Sequence, residues 1–133
     1  MFLRPLNDKQ KELFLGLAQQ AASANDVIEE SEKALLDAYA DEMGIAPDAG
    51  SNLPLEDILN ELRKISSPRE LSQITLEIVG MLMSDMEYDN AEKEFMDKLK
   101  AAWGIEQKKI DEMFEVIRDY MNLMKKINLL VFE

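Results

Sequence analysis

Cysteine and histidine are both absent from the 133 residues of this chain. Without cysteine there are no disulfides, no thiolate metal ligands and no cysteine nucleophile. The absence of cysteine also leaves the redox state of the protein's compartment undetermined. Without histidine the chain lacks the usual general base, the usual zinc ligand and the usual pH switch of proteins. A conventional hydrolase triad and a conventional zinc site are therefore excluded, and we expect the protein not to be an enzyme.

Glycine and proline are scarce, at 5 and 4 residues, which is too few for a β fold with many turns. Long apolar runs are also missing, since a membrane span needs roughly 20 consecutive apolar residues. The short run LFLGLAQQAASA follows Asp8 and Glu12, where a signal peptide would be basic. We therefore interpret this run as a helix of the mature protein and expect a cytoplasmic location without a membrane span.

Basic residues are the minority among the charged ones, with 15 Lys and Arg against 27 Asp and Glu and a formal net charge of −12. Nucleic acids and anionic membranes are bound through Lys and Arg, so neither is expected as the main partner. An acidic chain is compatible with cations, with basic protein partners, or with solubility alone.

Helical periodicity runs through the whole chain, and alternation with a period of two is absent over any useful length. Six segments carry apolar residues at spacings of three and four, as amphipathic helices do. The sequence predicts an all-α bundle of about six helices that forms a single domain over residues 1–133. The predicted helices begin near Asn7, Glu29, Pro54, Ser67, Asp89 and Glu106.

Two helix starts carry specific capping patterns. Asn7 followed by Gln10 three residues later is a capping box, and Ser67, Pro68 and Glu70 combine an N-cap, a first-turn proline and the third-position acid. The predicted core faces of helices 2 and 6 comprise Leu35, Leu36, Tyr39 and Met43, and Ile110, Met113, Phe114, Ile117, Tyr120, Met121 and Met124, respectively.

An internal repeat relates the two halves at an offset of sixty positions. It aligns Ala24–Ile45 with Ser84–Ile105 without a gap, so that each acidic turn leads into a helix that stops at a Gly-Ile pair. The predicted repeats are about 8–65 and 68–127. Two such units packed about an approximate two-fold axis would bury the apolar faces of both. The aligned pairs include Asn25 with Asp85, Glu32 with Glu92, and Gly44 with Gly104.

The two acidic turns resemble the TerB-like family of helical domains, named for tellurite-resistance proteins. The family pattern of Asp-Gly, an Ile or Phe and a later Glu is matched by Asp85, Tyr88 and Glu92, with Met86 in the place of Gly. The first copy has Asn25 in the place of Asp. The resemblance covers roughly residues 10–127 and implies a stress-related domain with an acidic metal-binding patch.

The second turn places four carboxylates within eight residues, and oxygen ligands of this kind suit Ca²⁺, Mg²⁺ or Mn²⁺. Packing of the two repeats face to face would bring both turns to one cluster, where a cation relieves repulsion between like charges. The candidate metal ligands are Asp85, Glu87, Asp89 and Glu92 from the second turn, with Asn25 and Glu32 from the first.

Helix capping explains some of these acidic residues without any bound metal. Asp89 and Glu92 have the spacing of a capping box, and acids in a first turn favour the helix dipole by about 0.3–1 kcal/mol each. Asp85 and Glu87 are the positions that capping leaves unexplained. The sequence thus supports two functions: a non-enzymatic domain that binds a divalent cation, and an adaptor whose acidic face docks a basic protein partner.

Overall fold

A computed structural model describes residues 1–24, 28, 30–84 and 90–132. Within this described part, six α-helices and no strands are present, so the predicted all-α bundle is confirmed. The helices are α1 (Asp8–Ala22), α2 (Glu30–Met43), α3 (Leu55–Ile65), α4 (Pro68–Leu82), α5 (Asn90–Trp103) and α6 (Gln107–Phe132).

The capping boxes predicted at the starts of α1 and α4 are present. The side chain of Asn7 accepts from the backbone N–H of Gln10 at 2.8 Å, and the Gln10 side chain accepts from that of Asn7 at 3.0 Å. Ser67 and Glu70 form the same pair of bonds at 3.1 and 2.9 Å, with Pro68 in the first turn of α4. Each box satisfies two backbone donors that a helix start otherwise leaves without a partner.

Helices α2 and α5 end in the same way, at the two predicted glycine stops. Gly44 and Gly104 have φ angles of +69° and +65°, in the left-handed region where a Cβ is disfavoured. The following residue then folds back, since the N–H of Ile45 donates to the carbonyl of Ala40 at 3.0 Å and that of Ile105 to Lys100 at 3.1 Å. These bonds turn the chain sharply toward the next helix.

Helix α1 lies in the middle of the bundle and packs against α2, α3 and α4. Its side chains Leu13, Phe14 and Leu17 are completely buried. Phe14 meets the ring of Tyr39 from α2 edge-on, with 5.3 Å between ring centroids, an arrangement that aromatic pairs favour. The central position of α1 explains why its apolar face is unusually wide.

The side chain of Gln10 joins the starts of α1 and α4. It is 1 % exposed, and its Nε2 donates to Ser66 Oγ at 2.9 Å and to Glu70 Oε2 at 3.1 Å. Its Oε1 meanwhile caps α1 through Asn7. A single buried amide therefore serves two helix starts that are about sixty residues apart in the sequence.

The segment before α1 is part of the core, which the sequence analysis did not predict. Leu3 and Leu6 are buried beside the helices. Glu42 accepts from the Leu3 N–H at 2.8 Å and from the Met1 amino group at 2.7 Å. Glu77 accepts from the Phe2 N–H at 2.9 Å, so carboxylates of α2 and α4 together hold this segment in place.

The predicted core faces need two corrections. In α2, Leu35 and Leu36 are only partly buried, whereas the small residue Ala40 is fully buried. In α6, burial ends early: Tyr120 and Met124 are 51 % and 38 % exposed. Both residues lie beyond the end of α4, the helix on which α6 packs. Buried positions of α6 are Ile110 and Met113, and partly buried ones include Phe114, Ile117 and Met121.

Candidate functional site

Four of the six predicted metal ligands lie outside the residues that the structure describes. These are Asn25, Asp85, Glu87 and Asp89. The predicted capping of Glu92 by Asp89 falls there as well and stays a prediction. The described members are Glu32 and Glu92, and the structure places both on the inner side of their helices.

Glu32 and Glu92 occupy matching places in the first turns of α2 and α5. They are 4 % and 3 % exposed, whereas the side chain of Glu30, two residues before Glu32, is 93 % exposed. Both buried carboxylates make polar or electrostatic interactions with their surroundings. Burying a carboxylate is expensive unless it is well paired, so these positions are more than ordinary acidic helix starts.

The local sequence explains the burial of Glu92. Phe95, Met96 and Leu99 follow it at spacings of three, four and seven, and all three are buried. Glu92 therefore continues the core-facing stripe of α5 by one turn toward the helix start. This spacing was visible in the sequence, and it distinguishes Glu92 from Glu94, which is exposed.

A contact between two serines brings the first turn of α2 next to the end of α4. The hydroxyl oxygens of Ser31 and Ser84 lie 3.4 Å apart, and either one can donate the hydrogen bond. Ser31 immediately precedes Glu32, and Ser84 immediately precedes Asp85. The first turn of α2 and the residue that follows α4 by two positions are thus neighbours, although 53 positions separate them.

Metal-ligand groups are absent from the described part of the chain. Among those residues, no cluster of three or more acidic side chains has a geometry that would hold an ion. The contact of Ser31 with Ser84 concerns the residues that precede Glu32 and Asp85, and of the predicted ligands the structure describes Glu32 and Glu92. The metal site therefore stays a prediction.

Trp103 acts as a packing anchor between helices α5 and α3. It is 8 % exposed, and its Nε1 donates to the backbone carbonyl of Leu59 in α3 at 2.9 Å. Arg63 adds a parallel link, because its Nη1 donates to the carbonyl of Ala102 at 2.9 Å. Both bonds hold α5 against α3, so the indole has a structural role.

A groove of about 1020 Å³ lies between α5 and α6. Its floor is apolar, with Met83, Met96 and Phe114 among the lining residues, while charges of both signs stand on its rim. The charged lining residues are Lys93, Asp97, Lys100, Asp111, Glu115 and Arg118.

Across the described ranges, none of the helices combines the length and apolarity required to cross a membrane. Comparison of the chain with known protein families, curated proteins and solved structures finds no match.

Proposed function

We propose that the protein is a non-enzymatic TerB-like domain whose two acidic turns jointly bind a divalent cation. The observation that carries the proposal is the 3.4 Å contact between Ser31 and Ser84. It brings the residue before Glu32 next to the residue before Asp85. In this proposal the two turns supply their ligands from the two sides of this contact.

The chemistry of the six candidate residues suits a hard cation. Carboxylate and amide oxygens are ligands of Ca²⁺, Mg²⁺ and Mn²⁺. In this proposal Glu32 and Glu92 are the inner ligands, because their carboxylates are buried at the helix starts. A cation would offset both the desolvation of these groups and their repulsion by neighbouring acids.

The proposal includes a duplicated unit, residues 8–65 and 68–127. Several features of the helices support it: α1 and α4 both have 15 residues and a capping box, and α2 and α5 both have 14. Gly44 and Gly104 end α2 and α5 with the same backbone geometry. In such a unit, Glu32 and Glu92 are equivalent ligands from the two halves.

Thermal melting in the presence of metals tests cation binding. Ca²⁺, Mg²⁺ or Mn²⁺ at millimolar concentration is expected to raise the melting temperature of the full chain. An ion at one hundred times its dissociation constant adds about 2.7 kcal/mol to the free energy of unfolding. The double variant D85N/E92Q is expected to lose this increase.

A matched control separates specific ligation from general screening of the acidic chain. Glu56 and Asp57 form an acidic first turn in α3 that lies outside both turns of the proposed site. The E56Q/D57N variant should retain the metal-induced shift in full. Equal shifts in both double variants, or no shift with any of the three ions, would contradict the proposal.

The alternative function is an adaptor whose acidic face binds a basic protein. It is favoured by the exposure of Glu94 and Asp97 on the outer side of α5 in a chain of net charge −12. Charge reversal in E94K/D97K should weaken capture of a basic partner, and capture should also decrease with salt. Reversal of Asp37 and Asp41 on the outside of α2 is the control for total charge.

The resemblance further suggests a role in stress responses. Growth of cells that lack the protein, compared under metal, tellurite and envelope stress, tests this role. Complementation by the D85N/E92Q variant would separate a stress function from cation binding.

A further inference from the structure

Two carboxylates from different helices converge on the amino group of Met1. Glu42, near the end of α2, places its Oε1 2.7 Å from this nitrogen, and Glu77 of α4 places its Oε1 2.8 Å from it. Both carboxylates are partly shielded from water, since the Glu42 and Glu77 side chains are 23 % and 11 % exposed. One positive charge thus lies between two negative ones, in charge-assisted hydrogen bonds that are stronger than neutral ones.

The same two carboxylates accept hydrogen bonds from the backbone that follows. The Phe2 N–H donates to Glu77 Oε1 at 2.9 Å. The Leu3 and Arg4 N–H groups donate to Glu42 Oε2 at 2.8 and 3.3 Å. Four successive backbone nitrogens therefore face two acids. This arrangement fits a charged α-amino group, because an amide nitrogen in the same place has one N–H and no positive charge.

The segment held in this way, residues 1–6, covers apolar surface, and we call it the strap. Leu3 is completely buried and Leu6 nearly so, and the Leu6 N–H donates to the Leu3 carbonyl at 3.2 Å. Phe2 lines two cavities, one of about 480 Å³ between α4 and α6 and one of about 470 Å³ between α2, α4 and α6. Release of the strap would therefore expose apolar surface of the core.

The Met1 amino group carries its charge at neutral pH. Burial acts to lower its pKa, but the hydrogen bonds to Glu42 and Glu77 and the negative charges of these groups outweigh burial and raise the pKa above its ordinary value. Removal of the positive charge leaves two carboxylates close to each other, where like charges repel. How firmly the strap is held thus depends on the chemical state of one nitrogen.

We propose that the α-amino group of Met1 is a modification site whose acylation loosens the strap. Met1 is 75 % exposed, so a modifying enzyme or reagent can reach it. Starting from the ammonium form, acetylation by an acyl thioester replaces the C–S bond of the thioester with a C–N bond to Met1 and releases the thiol and one proton. The product is a neutral amide, which cannot form the two ion pairs. The proposal makes no use of the two acidic turns, so its outcome is independent of cation binding.

Hydrogen exchange followed by NMR compares three forms of the chain. The first has a free Met1 amino group, the second is acetylated there, and the third carries the two further residues Gly-Ser before Met1. Exchange of the Leu3 and Leu6 N–H groups is expected to be about tenfold faster or more in the second and third forms. The reason is that a hydrogen bond from a charged donor is lost at each carboxylate.

The double variant E42Q/E77Q tests whether the two carboxylates are responsible. Its side-chain amides accept hydrogen bonds without carrying a charge, so acetylation should change its exchange rates by less than about threefold. The control E56Q/D57N removes the same number of charges at exposed positions of α3 and should keep the full acceleration.

Equal exchange of the strap in the free, acetylated and extended forms would overturn the proposal. An acceleration that persists undiminished in E42Q/E77Q would overturn it as well, because the carboxylates would then not recognise the ammonium group. The comparison of the three forms needs no substitution, so it decides the proposal even if E42Q/E77Q does not fold.

Discussion

The indole N–H of Trp103 donates to the backbone carbonyl of Leu59 across the interface between α5 and α3, at 2.9 Å. The bond is buried, so its removal leaves a polar group without access to water. We expect W103F to lower the free energy of unfolding by about 1–2 kcal/mol. Urea unfolding followed by circular dichroism measures the change, since the variant has no tryptophan fluorescence.

Tyr120→Phe is the control for Trp103→Phe, because it removes the polar group of an aromatic residue that is 51 % exposed. Its effect on the free energy of unfolding should stay within a few tenths of a kcal/mol. If both variants unfold at the same urea concentration as the wild type, the bond to Leu59 does not stabilise the bundle.

The left-handed glycines at the ends of α2 and α5 should be equally sensitive to a methyl group. A Cβ on Gly44 or Gly104 would meet nothing within 4 Å, so the cost comes from backbone conformation alone. We expect G44A and G104A each to destabilise the chain by about 1–2 kcal/mol. Asparagine at either position should cost less than alanine, because it adopts this conformation more readily. A larger cost for asparagine would contradict the backbone explanation.

Alanine in place of two glycines inside helices should change the stability of the chain in opposite directions. A Cβ on Gly16 would lie 2.5 Å from the backbone oxygen of Ser51, in a loop held by the bond from Ser51 N–H to the Glu12 carbonyl at 2.9 Å. On Gly80 the nearest atom would be Ile117 Cδ1 at 3.9 Å. We expect G16A to cost about 1–3 kcal/mol through overpacking, and G80A to stabilise by roughly 0.5–1 kcal/mol through helix propensity. Differential scanning calorimetry of both variants should show melting temperatures on opposite sides of the wild type.

Glu42 should make the free energy of unfolding depend on pH in the acidic range. Partial burial raises its pKa, but hydrogen bonds from the Met1 amino group and the Leu3 and Arg4 N–H groups outweigh it and hold the pKa below the ordinary value. A lowered pKa in the folded state means that the stabilisation is present above the pKa of the unfolded chain. It is lost as the pH falls through the folded pKa.

The E42Q variant should therefore be less stable than the wild type at pH 7 by about 1–2 kcal/mol. This is toward the low end of the roughly 1.5–3 kcal/mol of hydrogen bonds to a charged group, because the Glu42 side chain is partly exposed. The difference should shrink as the pH falls from 5 toward 3. Asp37→Asn, at an exposed position of α2, is the control. A gap between wild type and E42Q that stays constant over this pH range would show that Glu42 is not held in its charged form.

Local signals in the sequence predicted the helices and their ends well. The capping patterns at Asn7 and Ser67 and the stops at Gly44 and Gly104 depend on a few adjacent residues, and all four are confirmed. The sequence carried no signal for the end of α6. The apolar residues after Asn128 contain no helix breaker, and the helix continues to Phe132.

Contacts between distant parts of the chain could not be predicted from local patterns in the sequence. Tyr120 and Met124 fit the apolar period of α6, yet period alone does not tell where α4 stops. Leu3 lies in a short segment without periodicity, and its burial depends on Glu42, 39 positions away. The burial of Glu92 followed a spacing present in the sequence. The contact of Ser31 with Ser84, in contrast, arises only when the two halves pack.

The amide of Gln10 couples the unfolding of the two halves of the bundle. Because it bonds Asn7 at one helix start and Ser66 and Glu70 at the other, fraying of either start exposes polar atoms of both. Hydrogen exchange at the backbone N–H groups of Gln10 and Glu70 should then proceed at closely matched rates. The chain is expected to open as one cooperative unit in which neither half survives the loss of the other.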